Sequence, residues 1–307
     1  MHHWTVSTSI EFYKVPALNH IWQTAFPQVG FRYPFVARAL LSLAALHLAH
    51  LNSHKDGPYI LNAIRLHDEA LEGFQAAVSH ITEENSEALL VWSILNVIYV
   101  FGVSKHHNDN NMSKFQDPYR DRVLGMELIP MMRGIEAVLA PTHEFLVQGR
   151  MDGLMSVGNW FELDPDQQTL LPGSVDDDFC RTRESWAESG DATTYEASLQ
   201  VLRKCVMFMD QFASMDQTEL QEWGCNRAWA GPLMFIFFAP ERYFTLLYQR
   251  QPAALILYAH FGSLLHRLNG HWFLEGWGRD IVEVVNDLVG SYWRPWIRWP
   301  LKVTAAS

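Results

Sequence analysis

Apolar residues recur at Phe35, Ala39, Leu43, Leu46 and Leu51, close to the spacing of a helical turn, and Pro34 suits the first turn of such a helix. The pattern predicts helix from Pro34 to about Ser53. A second helix is predicted from about Tyr59 to His80, behind the turn Asp56-Gly57-Pro58. A third opens at Thr82-Glu83-Glu84-Asn85, a capping arrangement ahead of the apolar stretch Ala88 to Val103. That stretch is apolar almost all round, which places it in the middle of the fold. The polar run His106-His107-Asn108-Asp109-Asn110-Asn111 has nothing to bury and reads as a surface loop before a helix from about Pro118 to Leu139.

From about Gly149 to Asp191 the periodicity collapses into Pro, Gly, Ser and acidic residues, and a long, mobile connection is expected there. Helical patterning resumes at Ala192 to Met215 and at Arg227 to Gln249, the latter bent or broken by Pro240. A helix starting at Pro252 carries Leu255, Leu257, Ala259, Phe261, Leu264, Leu265 and Leu268, with Gly270 marking its expected end. A last helix follows Gly276-Trp277-Gly278 and closes near Gly290, ahead of an aromatic tail from Tyr292 to Pro300. No strand and no internal repeat is predicted. The expectation is an all-α, multi-helix bundle, with residues 1–307 forming one unit.

Composition narrows the function classes. Apolar residues make up 49% of the 307-residue chain and charged residues 19%, enough to build a core. The net charge of −11, without a Lys/Arg-rich stripe, opposes unaided nucleic-acid binding. Three cysteines, Cys180, Cys205 and Cys225, stand too far apart for a zinc site or a disulfide framework. The start of the chain lacks a secretory pattern, so an intracellular setting, cytoplasmic or nuclear, is expected. The stretch Ala88 to Val103, interrupted by Ser93 and Asn96, falls short of the roughly 20 residues that span a bilayer.

His47, His50 and His54 share one helix face and could share a metal, but no carboxylate pattern completes a set, and a structural or solvated reading serves as well. No metal or cofactor is expected. Serine-elbow, phosphate-loop and dinucleotide-binding signatures are absent. Glu275-Gly276-Trp277-Gly278 follows no strand and reads as a packed turn. His260 and His266 sit in an otherwise apolar helix, where an imidazole needs a hydrogen-bond partner or a ligand, and they point about 120° apart. Arg242 is a lone polar group that could pair with a carboxylate. Twelve Trp, 18 Phe and 11 Met supply large, adaptable side chains able to line a lipid-sized cavity or simply to fill a core.

Several stretches carry a resemblance: Met1-His2-His3-Trp4-Thr5, Tyr59 to Ala70, Asn85 to Phe101, Arg133-Gly134-Ile135 and Pro252 to Val303. Within the last, Leu265-His266-Arg267-Leu268-Asn269, Leu274-Glu275-Gly276-Trp277-Gly278 and Trp293-Arg294-Pro295-Trp296 are the most specific. In these the chain resembles the C-terminal regulatory, ligand-binding domain of fungal zinc-cluster transcription factors of the sterol uptake control group. The resemblance implies helices around a hydrophobic pocket that accepts a sterol, and a homodimer or a heterodimer with related regulators. It carries over a region, the core helices, in which Trp92, Asn96, Tyr99, Met131, Met132 and Phe261 are the candidate ligand contacts. The six-cysteine zinc cluster of that family is absent from the sequence, so no DNA reading through it is expected of this chain, whether an excised domain or a natural stand-alone protein.

Two functions follow: a module that binds a lipophilic sterol- or terpenoid-like molecule, or a pocket reused as a cofactor-free cyclase, isomerase or pericyclase on a terpenoid or polyene. For the second, His260, His266, Arg242 and Tyr99 are the candidate catalytic groups. A third outcome is a regulator that pairs with full-length relatives.

Overall fold

A computed structural model describes residues 1–12, 20–52, 57–107, 117–167, 173–216, 218–219 and 230–305, with backbone only at 105–107, 213 and 214. Among these residues the regular elements are helices and no strand occurs, the all-α bundle that the periodicity predicts. α1 (His2–Val6) and α2 (Phe26–Arg32) lead into α3 (Pro34–Leu51), α4 (Gly57–Val78) and α5 (Glu83–His107). Next come α6 (Asp117–Val123), α7 (Leu128–Leu139), α8 (His143–Gln148), α9 (Asp152–Met155), α10 (Val175–Arg181) and α11 (Ala192–Ser214). α12 (Ala230–Phe238), α13 (Glu241–Tyr248), α14 (Pro252–His266), α15 (Trp277–Trp293) and α16 (Arg298–Ala305) complete the order.

The pair α3 and α4 runs antiparallel. Ser42 Oγ donates to the Ala63 carbonyl at 2.7 Å, Arg38 Nε to Glu69 at 3.0 Å, and a Cβ on Gly73 would lie 2.5 Å from Phe35. Only Ala63 and Ala70 of α4 are buried, so α4 is an outer layer covering α3 and α5. α5 is central, as its apolar circumference predicts. It is longer than the apolar stretch alone suggests, and Glu83–Ser104, like Pro34–Leu51, passes a length-and-composition test for crossing a membrane. Because 83% of that window is buried against the rest of the fold, core packing already accounts for its composition.

α14 is more deeply enclosed still: every residue from Ala253 to Leu265 is buried. Fully burying a Leu or Phe side chain stabilises by roughly 1.5–3 kcal/mol, so this helix is a main anchor of the fold. It crosses α15 at two glycines. A Cβ on Gly278 would fall 2.4 Å from the Gly262 carbonyl oxygen, and one on Gly262 would fall 2.7 Å from Ile281. Trp277 Nε1 donates to the Phe101 carbonyl at 3.0 Å, tying this crossing to α5. The turn expected over Glu275-Gly276-Trp277-Gly278 stops at Gly276, which at φ 85° caps α15, while Trp277 and Gly278 are already helical and packed.

Element boundaries differ from the pattern at several points. The helix expected from Pro118 to Leu139 is two helices, because Gly125 adopts φ 75°, a left-handed conformation that interrupts it. Pro240 does break the following segment, leaving α12 and α13 on either side. α14 ends at His266, not near Gly270, and its last turn tightens through i to i+3 bonds such as Leu268 N–H to the Leu265 carbonyl. Gly290, at φ 70° and ψ −179°, interrupts the helical backbone of α15 where the sequence pattern closes the helix, and the aromatic tail beyond it is helical through Arg294–Ile297 and α16.

The stretch 149–191 carries short helices despite its broken periodicity. Arg203 of α11, 4% exposed, holds it: Nε and Nη2 donate to Asp176 at 2.7 and 2.8 Å, Nη2 to the Pro165 carbonyl at 3.0 Å, and Nη1 pairs with Asp166. Removing one partner of a buried ion pair strands the other, so this clamp fixes α10 on α11.

Candidate functional site

Trp92, Asn96 and Tyr99 lie one turn apart on α5 and share a face. α4 meets that face with His67 and Phe74, and α7 meets it with Met131. The Trp92 indole stacks on Phe74 at 3.7 Å between ring centres, and the Tyr99 ring stacks on His67 at 3.7 Å with only 5° between planes. Between these two stacks sits Asn96. Its Oδ1 accepts from His67 Nε2 at 2.8 Å and its Nδ2 donates to the Met131 thioether at 3.0 Å.

Four of the six candidate ligand contacts thus converge, and the arrangement has an unusual hydrogen-bond balance. Asn96 is 7% exposed, yet its amide N–H is directed at a thioether, a weak acceptor. Trp92 is 4% exposed, and its Nε1–H has no partner among the described residues. Buried N–H groups are nearly always paired with good acceptors, so the cluster holds donor capacity that protein atoms leave poorly used. Burial lowers the His67 pKa, opposed by the Asn96 hydrogen bond and the nearby Asp68 charge, and burial raises that of Tyr99. Both are neutral near pH 7. Met131 is half-buried and flexible, so it closes the cluster with a side chain that can move.

Met132 and Phe261 are buried elsewhere in the core, Phe261 against Phe235 and Tyr258 at 5.4 and 5.2 Å. Arg133, beside Met132, donates from Nη1 to the carbonyls of Ile236 and Ala239 at 2.9 and 3.0 Å, which couples α7 to the end of α12.

A second polar place lies on α14. His260 is fully buried, its Nδ1 donates to the Ile256 carbonyl at 3.0 Å, and its Nε2 has no partner among the described residues. Burial pushes its pKa down to about 4. The imidazole forms part of the wall of a cavity of about 120 Å³ together with Trp296 and Trp299, while Asp178, Arg181, Glu184 and Arg298 also line it.

The remaining candidates stand apart. His266 is at the α14–α15 crossing, where its backbone and Cβ meet Gly278, and burial lowers its pKa with help from Arg279. Arg242 is exposed and pairs with Asp191 at 3.0 Å, the carboxylate pairing that the sequence left open. His47 hydrogen-bonds Thr8 at 3.1 Å and stacks on Trp272 at 5.2 Å, while His54, His106 and His107 lie outside the described side chains. Among the described residues no group of three or more His, Cys, Asp or Glu could hold a metal. Cys180 and Cys205 are free thiols, and Cys225 lies outside the described residues.

Sequence reasoning missed His67 and Phe74, whose seven-residue spacing puts them on one face of α4, and assigned no role to Trp296 and Trp299 in the aromatic tail.

No family model matches the chain. It is similar to a protein of Gibberella zeae named a Zn(2)-C6 fungal-type transcription factor, at 27% identity over 99% of this chain. The chain spans 60% of the length of that relative.

Proposed function

We propose that this chain is a regulatory domain of the fungal transcription-factor type, in which a lipophilic molecule of sterol or terpenoid bulk binds at the α4–α5–α7 cluster. The observation that carries this reading is the pair of buried donors, Trp92 Nε1–H and Asn96 Nδ2–H, set one turn apart among stacked aromatic rings and offered only a thioether. A ligand with one oxygen on an apolar frame, such as a sterol hydroxyl, meets both donors and buries its frame against the rings. It enters by displacing Met131. Because Arg133 on the same helix grips the end of α12, a shift of α7 reaches the surface through α12, and a partner in the nucleus or cytoplasm can read it. The similarity to the Gibberella zeae protein along nearly the whole chain supports a regulatory origin. The net charge of −11 supports leaving DNA contact to other parts of such a protein.

The test is native mass spectrometry of the full chain purified from a fungal host, then titration with ergosterol. The expected result is a retained lipid at one per chain, with Trp92→Phe and Asn96→Leu each weakening ergosterol binding roughly 3–10-fold. A chain that retains no lipid and ignores ergosterol overturns the reading. A chain that converts a linear terpenoid into a ring overturns it in favour of a cofactor-free enzyme.

A further inference from the structure

We infer that the cavity at His260 is a second small-molecule site, which takes a neutral planar ring bearing a hydroxyl or N–H donor. The inference is independent of the α4–α5–α7 reading and rests on size, hydrogen-bond polarity, wall shape and charge.

At about 120 Å³ the cavity has room for a single ring, since protein cavities of roughly 150 Å³ hold benzene. It is too small for a sterol frame. Its polarity follows from the tautomer: Nδ1 carries the proton that binds the Ile256 carbonyl, so Nε2 presents a lone pair. That lone pair is fully buried and meets no donor among the described residues, so an O–H or N–H of a ligand in the cavity complements it once the half-buried Trp299 ring stacked on the imidazole gives way. Burial favours the neutral imidazole at physiological pH, so the site offers an acceptor and not a cation.

The walls favour a flat molecule. Trp296 and Trp299 line the cavity, Trp299 stacks on the His260 ring at 5.8 Å and 17°, and the buried Phe179, outside the lining, packs edge-on against that ring at 4.8 Å. Of the charged lining residues, Arg181, Glu184 and Arg298 are exposed and Asp178 is half-buried, two cations against two anions. Such a mouth gives no net pull on an ion, which leaves a neutral ring as the matching class.

Phenol and toluene test this, because they share shape and differ in the donor. The full chain, labelled with 15N in its histidines, is titrated with each while tryptophan fluorescence is followed. Phenol is expected to move the His260 Nε2 resonance and leave Nδ1 in place, and to bind roughly 3–10-fold more tightly than toluene. His260→Phe is expected to abolish that preference. If that variant does not fold, Trp299→Leu, at a half-buried wall position, identifies the His260 signals by the loss of its ring current and weakens both probes. Equal binding of phenol and toluene, a preference that survives in His260→Phe, or no response at the His260 nitrogens, as from a cavity that holds water only, would each overturn the proposal.

Discussion

The two polar places buried among these helices have opposite hydrogen-bond demands. Among the described residues, Trp92 and Asn96 on α5 hold N–H donors short of a good acceptor, whereas His260 on α14 holds a lone pair short of a donor. They differ in access as well. The α5 cluster is packed against Met131, a flexible side chain that the proposed ligand would have to displace. The α14 cavity has a mouth of charged side chains, but His260 is fully buried with Trp299 stacked on it, so a ligand that bonds Nε2 would have to shift Trp299. A helix that is apolar on every side can carry few polar groups, and where protein atoms leave one unmatched, the mismatch states what a ligand must supply.

Phe261 belongs to neither place. Phe261→Ala is expected to destabilise the fold by about 3–5 kcal/mol in urea unfolding while leaving the sterol affinity of the surviving folded fraction unchanged. A loss of affinity without a loss of stability would restore Phe261 as a ligand contact.

The next effect is on pH dependence, and it separates the imidazoles. His260 has a folded pKa of about 4 against 6.5 unfolded, so the unfolded chain binds the proton more readily. Stability is complete above pH 6.5 and falls as pH drops from 6.5 towards 4, by about 3 kcal/mol from this residue. Unfolding curves of His260→Phe are expected to show a correspondingly shallower acid slope. His47, also at about 4 through burial and its neighbours His3 and His50, supplies a part of the slope that the variant keeps.

Met131→Leu alters the α5 cluster alone. It preserves bulk and removes the thioether, leaving Asn96 Nδ2 without an acceptor, and is expected to cost about 1 kcal/mol of stability. Ergosterol should then bind more tightly, because the ligand displaces no hydrogen bond. The smallest effect is expected at Arg242, whose exposed pairing with Asp191 lies outside both places: Arg242→Ala should leave the urea midpoint and both ligand titrations unchanged.

Helical character was legible where one apolar face repeated, from Phe35 to Leu51, and where apolar residues crowd most faces, from Leu255 to Leu265. The short helices of 149–191 were not, because their position depends on the buried Arg203 gathering Asp166 and Asp176 from distant points of the chain, a contact with no local period. Gly125 shows a second limit: a left-handed turn splits a segment whose apolar spacing runs straight through it. At the α5 cluster, Trp92, Asn96 and Tyr99 could be read from one helix face, and Met131 from its place in a core helix. His67 and Phe74 required knowing that α4 lies against that face. The His260 cavity required knowing that α10 and the end of the chain meet over α14, which is tertiary information throughout.

Ergosterol titration into protein carrying 13C-methyl methionine, followed by the Met131 methyl and the Asn96 side-chain amide resonances, tests the displacement most directly. Both are expected to move together and saturate at one ligand per chain, with the Trp92 indole N–H shifting in step. Binding that leaves Met131 and Asn96 unmoved would contradict it.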